Sequence, residues 1–217
     1  MNECCAVVDL RQYTLHPGQR DTLIDIFDEH FVEGQEVCGM HIAGQFRDLD
    51  DPDRFVWLRG FRSMAARAEA LNAFYYGPIW REHAEAANAT MLDSDNALLL
   101  EPIFLSPEYP GPEAPRDSAL GDSVIAGMVH PADSGFVEHF QHTMLPAIAE
   151  LGVLPLAVFR SLPAENNFPA LPLRDDRVLV WLARFADDAA YDVFRKEIGD
   201  WEGQELRLRP TLRSQLR

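Results

Sequence analysis

FVWLRGFRSMAARAEALNAFYYGPIW, the stretch from Phe55 to Trp80, decides the fold, because a shorter version of it returns later in the chain. Val56-Trp57-Leu58 and Phe61 reappear as Val180-Trp181-Leu182 and Phe185, and Ser63 with Ala65-Ala66 reappears as Asp187 with Ala189-Ala190, all at one offset of 124 residues. Each copy reads as an aromatic strand, then a Ser or Asp whose side chain accepts from the free N–H groups of a first helical turn, then the helix itself.

Outward from that stretch, the remaining elements fall into the same arrangement. Val7 to Leu15 is a strand ended by His16-Pro17-Gly18. Leu23, Ile24, Phe27 and Phe31 mark one face of a helix from Gln19 to Glu33. A second strand spans Gly39 to Arg47, and an acidic turn over Asp48 to Asp53 leads into the third strand, Phe55 to Phe61. The helix begun at Ser63 runs toward Phe74 and is interrupted by Gly77, and Pro78 opens the next helix. Ala97 to Glu101 supplies a fourth strand that ends at Pro102.

The second half repeats this order. Leu15-His16-Pro17 matches Val129-His130-Pro131 at an offset of 114, and Gly39, Phe46 and Arg47 match Gly152, Phe159 and Arg160 at 113. The later jump to 124 places an 11-residue insertion in the Pro-containing segment between Ser161 and Asp176. The expectation is an α+β fold of two tandem ferredoxin-like βαββαβ units, 1–105 and 123–217, joined by a Pro-rich linker over 106–122. Helices cover only one face of each sheet, so the two bare faces are expected to pack sheet to sheet as a pseudo-dimer.

Composition narrows the partners. With 19 basic and 35 acidic residues among 217, the net charge of −16 repels phosphate backbones and anionic lipid, so neither nucleic acid nor membrane is expected. No apolar run approaches the ~18 residues of a membrane span, and the N-terminus lacks a basic region leading into an apolar one, which makes a cytoplasmic chain the expectation. Three cysteines, two of them adjacent, give no disulfide framework and no CxxC pair; Cys38 reads as a small buried hydrophobe.

Arg11-x-Tyr13-x-Leu15-x-x-Gly18, the strand Val56-Trp57-Leu58-x-x-Phe61, the helix with Arg67, and Phe74-Tyr75-Tyr76-Gly77-Pro78-x-Trp80 together resemble the NIPSNAP family. That resemblance implies a tandem barrel of the dimeric α/β-barrel superfamily, but no reaction, since the family has no agreed activity. Superfamily relatives include cofactor-independent monooxygenases and haem enzymes, so the resemblance leaves haem binding as an alternative.

Comparing the halves separates scaffold from candidate chemistry. At the aligned positions the first half is polar or aromatic where the second is plain: Arg11 against Ile125, Tyr13 against Gly127, His30 against Thr143, His41 against Leu154, Gln45 against Val158 and Arg59 against Ala183. The expected site is a pocket between sheet and helices of the N-terminal half, binding or transforming a small apolar or aromatic molecule without metal or other cofactor. His30, Arg59 and Tyr13 are its catalytic candidates; Arg11, His41, Gln45, Tyr75 and Tyr76 are its ligand-binding candidates. Placed on the flank of the apolar stripe, His30 is expected to face the sheet, whereas Arg59 and Arg11 have a structural reading as partners of Asp9 or Glu101. His139 and His142 have ligand spacing but lie at or beyond the edge of their helix's apolar stripe. A second alternative is an interaction module that docks partners through the Ser161 to Asp176 loop, and the sequence leaves open whether two chains pair into a homodimer.

Overall fold

The computed structural model describes residues 4–116 and 121–217. Its strands are β1 Val7–Leu15, β2 His41–Asp48, β3 Arg54–Phe61, β4 Met91–Asp93, β5 Ala97–Leu105, β6 Val124–Pro131, β7 Pro155–Ser161, β8 Val178–Phe185 and β9 Gln204–Pro210. The helices are α1 Arg20–Ile26, α2 Val32–Glu36, α3 Met64–Tyr75, α4 Pro78–Asn88, α5 Phe136–His139, α6 Leu145–Glu150 and α7 Asp188–Ile198, with π-helical segments Phe27–Phe31 and Phe140–Met144 between α1 and α2 and between α5 and α6.

Eight strands follow one another in the order β3-β2-β9-β6-β8-β7-β5-β1, and β1 also pairs with β3, so the sheet closes into an antiparallel barrel with short β4 added at the end of β1. Closure removes the free edges that would otherwise invite pairing with another chain. Side chains alternate along the strands. Val8, Leu10, Val56 and Leu58 therefore meet Ile125, Val129, Val180 and Leu182 in the barrel interior. On the outer face, Trp57 and Phe55 pack under Phe27, Phe31 and Phe74, and Trp181 and Phe185 pack under Phe140 and Phe194. Sheet-to-sheet packing is thus only part of how the halves join, because β2 hydrogen-bonds to β9 and β5 to β7 along two seams.

The register corrects one alignment made on sequence. Val7 pairs with Phe61 and Val124 with Phe185, while Leu10 pairs with Leu98 and Gly127 with Leu206. Both sets put β6 at an offset of 117 from β1, three residues beyond the 114 suggested by the His-Pro match. An odd slip moves every side chain to the opposite face. Arg11 therefore corresponds to Met128 rather than Ile125, and Tyr13 to His130 rather than Gly127.

Other expectations are adjusted locally. Helix 1 continues to Glu36 instead of Glu33, through the π-helical segment. β5 passes Pro102 and ends at Leu105, because Pro102 sits beside a bulge where the ladder needs no N–H from it. The segment read as a linker is docked where it is described: Tyr109 is buried against Phe159, and Arg116 donates to the carbonyls of Ile42 and Arg213 at 2.7 and 2.9 Å. Residues 117–120 of that linker lie outside the described residues. Cys38 is only half-buried, and Cys4 is joined to Cys5 by a disulfide. Among the described residues no helix is long and apolar enough to cross a membrane.

Candidate functional site

Asp9 stands directly across from Arg59 in the β1–β3 ladder, both on the face turned to the helices. The Ser63 hydroxyl caps α3 by accepting from Ala66 N–H at 3.1 Å, and this start places Arg67 over the same carboxylate. Arg59 Nε donates to Asp9 Oδ2 at 3.0 Å and Arg67 Nε to Asp9 Oδ1 at 3.1 Å; all three side chains are fully buried. Burial alone would raise the Asp9 pKa, but Arg59, Arg67 and Arg11 outweigh it and hold the carboxyl below its usual range. Arg11, also fully buried, donates from Nε to the Tyr13 hydroxyl at 3.0 Å and from Nη2 to Ser94 O at 2.9 Å. Two guanidinium groups thus share one buried carboxylate and the third, Arg11, adds its field from nearby, a surplus of positive charge inside the protein.

The corrected register shows what replaces this cluster in the other half. Asp9 corresponds to Ala126 and Arg59 to Ala183, which face each other in the β6–β8 ladder, and Arg67 corresponds to Tyr191. The β6–β8 ladder thus keeps the same pairing without these charges.

Beside the cluster lies a cavity of about 20 Å³, room for little more than one water, lined by Tyr13, Trp57, Tyr75, Trp80, Phe27 and Gln35 among others. Its polar groups are tied to the guanidiniums: Arg59 Nη1 donates to Gln35 Oε1 at 3.1 Å and to the Tyr75 hydroxyl at 3.4 Å. Because the Tyr13 and Tyr75 oxygens accept from arginine, their own protons remain for donation elsewhere. Burial raises the Tyr13 pKa, which keeps that proton in place. Trp57 Nε1 is buried and has no hydrogen-bond partner, and neither do Arg11 Nη1 and Arg67 Nη2. In the second half the equivalent indole is satisfied, since Trp181 Nε1 donates to His130 Nε2 at 3.2 Å. Where His130 offers an acceptor to Trp181, Tyr13 meets Trp57 edge-on with its ring, at 5.8 Å between centroids.

Of the sequence-predicted residues, Arg11, Tyr13, Arg59 and Tyr75 come together here. Tyr76 is 61% exposed, with its ring 6.2 Å from that of Phe168. His30 does not face the sheet: it is partly exposed, at the start of the turn into α2, and stacks on His83 of α4 at 3.7 Å. The π-helical segment rotates it off the apolar stripe, which a count at 100° per residue does not anticipate. His41 lies on the barrel side of the sheet, paired with Gly60, because a bulge between Ile42 and Gly44 reverses the alternation before Gln45. Gln45 is on the helix side but donates to Asp28 Oδ1 at 2.9 Å, away from the cavity lining; burial pushes the Asp28 carboxyl up to about 6.

The Asp9–Arg59 pair is the structural reading that the sequence offered for Arg59, whereas Gln35 and the Ser161 to Asp176 insertion are components it did not point to. That Arg67 joins this pair follows only from the start of α3 above the β1–β3 ladder. The insertion crosses to the first half: Phe168 is buried against Tyr75 at 5.6 Å, and Arg67 Nη1 donates to Asn167 Oδ1 at 2.8 Å and Asn166 Oδ1 at 3.3 Å. Nothing local in the sequence of that loop signals the crossing. It also argues against the loop as a free docking arm, since its apolar side chain is already spent within the chain. His139 and His142 are both exposed, so neither offers an axial ligand between sheet and helices for the haem alternative.

Comparison with known proteins places this geometry in context. Residues 8–107 match the NIPSNAP family. A candidate monooxygenase from Lactobacillus acidophilus NCFM has the same fold across nearly the whole length, with a TM-score of 0.56, 14% identity, and coverage of 94% of this chain and 93% of that one. A second, from Fusobacterium nucleatum, aligns with a TM-score of 0.56 at 8% identity over 94% of this chain and 91% of its own. A NIPSNAP family protein from Agrobacterium tumefaciens is 20% identical and covers 46% of this chain and 96% of its own, with a TM-score of 0.42. No curated protein sequence matches the chain.

Proposed function

Because residues 8–107 are a NIPSNAP domain on a barrel shared with candidate monooxygenases, we propose that the N-terminal half binds a small aromatic molecule carrying an oxygen acceptor, a carboxylate or carbonyl, between sheet and helices. The observation that carries this reading is the orphaned Trp57 Nε1 on the cavity wall, a donor that the second half satisfies and the first half leaves open. A buried N–H without an acceptor costs on the order of 1–3 kcal/mol, which a ligand oxygen would recover. The Tyr13 and Tyr75 hydroxyls are two further donors, each polarised by a guanidinium, and the surplus positive charge favours an anion. Phe27, Trp57 and Trp80 supply the apolar walls. In this closed arrangement the cavity holds about a water, so a ligand enters by moving the partly exposed Tyr75 and Trp80 and the buried Phe168 that packs on Tyr75.

The same proposal reads the barrel as two ferredoxin-like units in tandem. Supporting it, β5-β1-β3-β2 and β9-β6-β8-β7 have one strand order, and both halves place a π-helical segment and a β-bulge at an offset of 113. The first unit then keeps the site and the second serves as scaffold.

Thermal shift with benzoate, acetophenone and ethylbenzene tests the binding reading. Benzoate is expected to raise Tm most, acetophenone less and the hydrocarbon not at all, and Trp57→Phe and Tyr13→Phe are expected to abolish the shift. If ethylbenzene stabilises as well as benzoate, or no aromatic oxygen compound stabilises the parent, the reading fails.

A further inference from the structure

Away from the aromatic cavity, on the other side of the sheet, three buried side chains converge. Cys4, Cys5 and His41 present their sulfurs and a ring nitrogen within 4.8 Å of one another, and Cys5 Sγ lies 3.2 Å from His41 Nδ1. The group is held by elements far apart in sequence. Gly60 pairs with both Val8 and His41, and a Cβ built on it would stand 2.5 Å from Cys5 Sγ, so a bare glycine is what lets the sulfur reach the imidazole.

The imidazole itself is aimed. His41 Nε2 lies 2.7 Å from Gln215 Oε1, and the Gln215 amide is fixed in that sense because its Nε2 donates to Ala114 O at 2.5 Å. An amide oxygen only accepts, so Nε2 carries the imidazole proton and the Nδ1 lone pair points at the sulfurs. An imidazole whose outer N–H is held by an amide oxygen, with its other nitrogen facing thiols, is the arrangement of a metal-binding histidine.

We propose that the reduced Cys4-Cys5 pair and His41 form a site for one soft monovalent cation, copper(I), which the Cys4–Cys5 disulfide closes. Two thiolates and one imidazole suit that ion. Among the described residues no fourth His, Cys, Asp or Glu joins the group, whereas structural zinc takes four ligands. The disulfide opens by gaining two electrons and two protons: a dithiol supplies both and becomes a disulfide, or a phosphine supplies the electrons and becomes its oxide while water gives that oxygen and the two protons. One Cu⁺ then displaces the two thiol protons to solvent, leaving a site of net charge −1. The proposal does not rest on the reading of the aromatic cavity.

Anaerobic titration of the phosphine-reduced full chain with Cu⁺ against a chromophoric copper(I) chelator tests it, in a Cys38→Ala background that removes the remaining thiol. One copper per chain is expected, with an ultraviolet thiolate-to-copper band. Cys4→Ser is expected to lose at least about 100-fold in affinity, and His41→Asn and Gln215→Ala about 10-fold or more. The oxidised chain is expected to take up none until it is reduced. Cys4, at the edge of the buried group, is the variant least disruptive to packing, and circular dichroism checks each fold. Reduced parent binding copper no more tightly than Cys4→Ser overturns the site. So does His41→Asn leaving affinity and spectrum unchanged, or binding of zinc in preference to copper(I).

Discussion

At the residue scale, the buried charges are the part of the molecule whose energetics are least ordinary. Asp9 holds two guanidiniums and is itself inaccessible to water. Removing one member of such a group leaves the others uncompensated, so Asp9→Asn is expected to destabilise by about 3–5 kcal/mol. The second half supplies the control, because Ala126, Ala183 and Tyr191 fill the same positions without charge. The combined change Asp9→Ala, Arg11→Met, Arg59→Ala, Arg67→Tyr, which also replaces the nearby Arg11 by its counterpart Met128, is therefore expected to unfold within about 2 kcal/mol of the parent, well above the single variant. Chemical denaturation of both proteins checks this, and a combined variant as unstable as Asp9→Asn would mean that the charges themselves hold the first half together. His30 shows the reverse case. Its residue type suggested proton transfer, but a side chain stacked on His83 and clear of the cavity lining has no such work to do there.

Among the elements, the insertion between β7 and β8 changes most from its expected role. It forms no helix or strand, yet Phe168, Leu162, Leu171 and Leu173 all pack onto the first half's apolar cluster. The loop thereby covers the open side of the Tyr75-Trp80 wall with residues from the other half of the chain. Phe168→Ala is expected to cost about 3 kcal/mol of stability, near the low end for buried Phe because the site adjoins solvent. It is also expected to expose Trp80, red-shifting tryptophan emission. An unchanged melting point and spectrum would show the loop to be passive. The strands and capped helices were legible in sequence because alternation, aromatic repeats and Ser63 or Asp187 at a helix start are local signals. The π-helical segment and the bulge in β2 were not, since each is one extra residue with no characteristic composition, and each moved a candidate histidine off the predicted face.

For the whole molecule, closure is the governing fact. Within a barrel, β2 and β5 are paired with β9 and β7; in isolation they are free edges. A fragment of residues 1–105 is accordingly expected to self-associate, two copies pairing their β2 and β5 edges, and sedimentation velocity distinguishes this from a monomer. A stable monomeric fragment would show that the edges need no partner. By itself the sequence determined the α+β class, the strand and helix order and the candidate Arg11, Tyr13, Arg59 and Tyr75, because these depend on periodicity and on residue type at short range. Tertiary structure alone decided the three-residue register shift in β6, the joining of Arg67 to the Asp9–Arg59 pair, the crossing of Phe168 and the convergence of Cys4, Cys5 and His41. Each of those depends on which strand lies beside which and on which face a side chain leaves, and hydrogen bonds between segments far apart in sequence fix both.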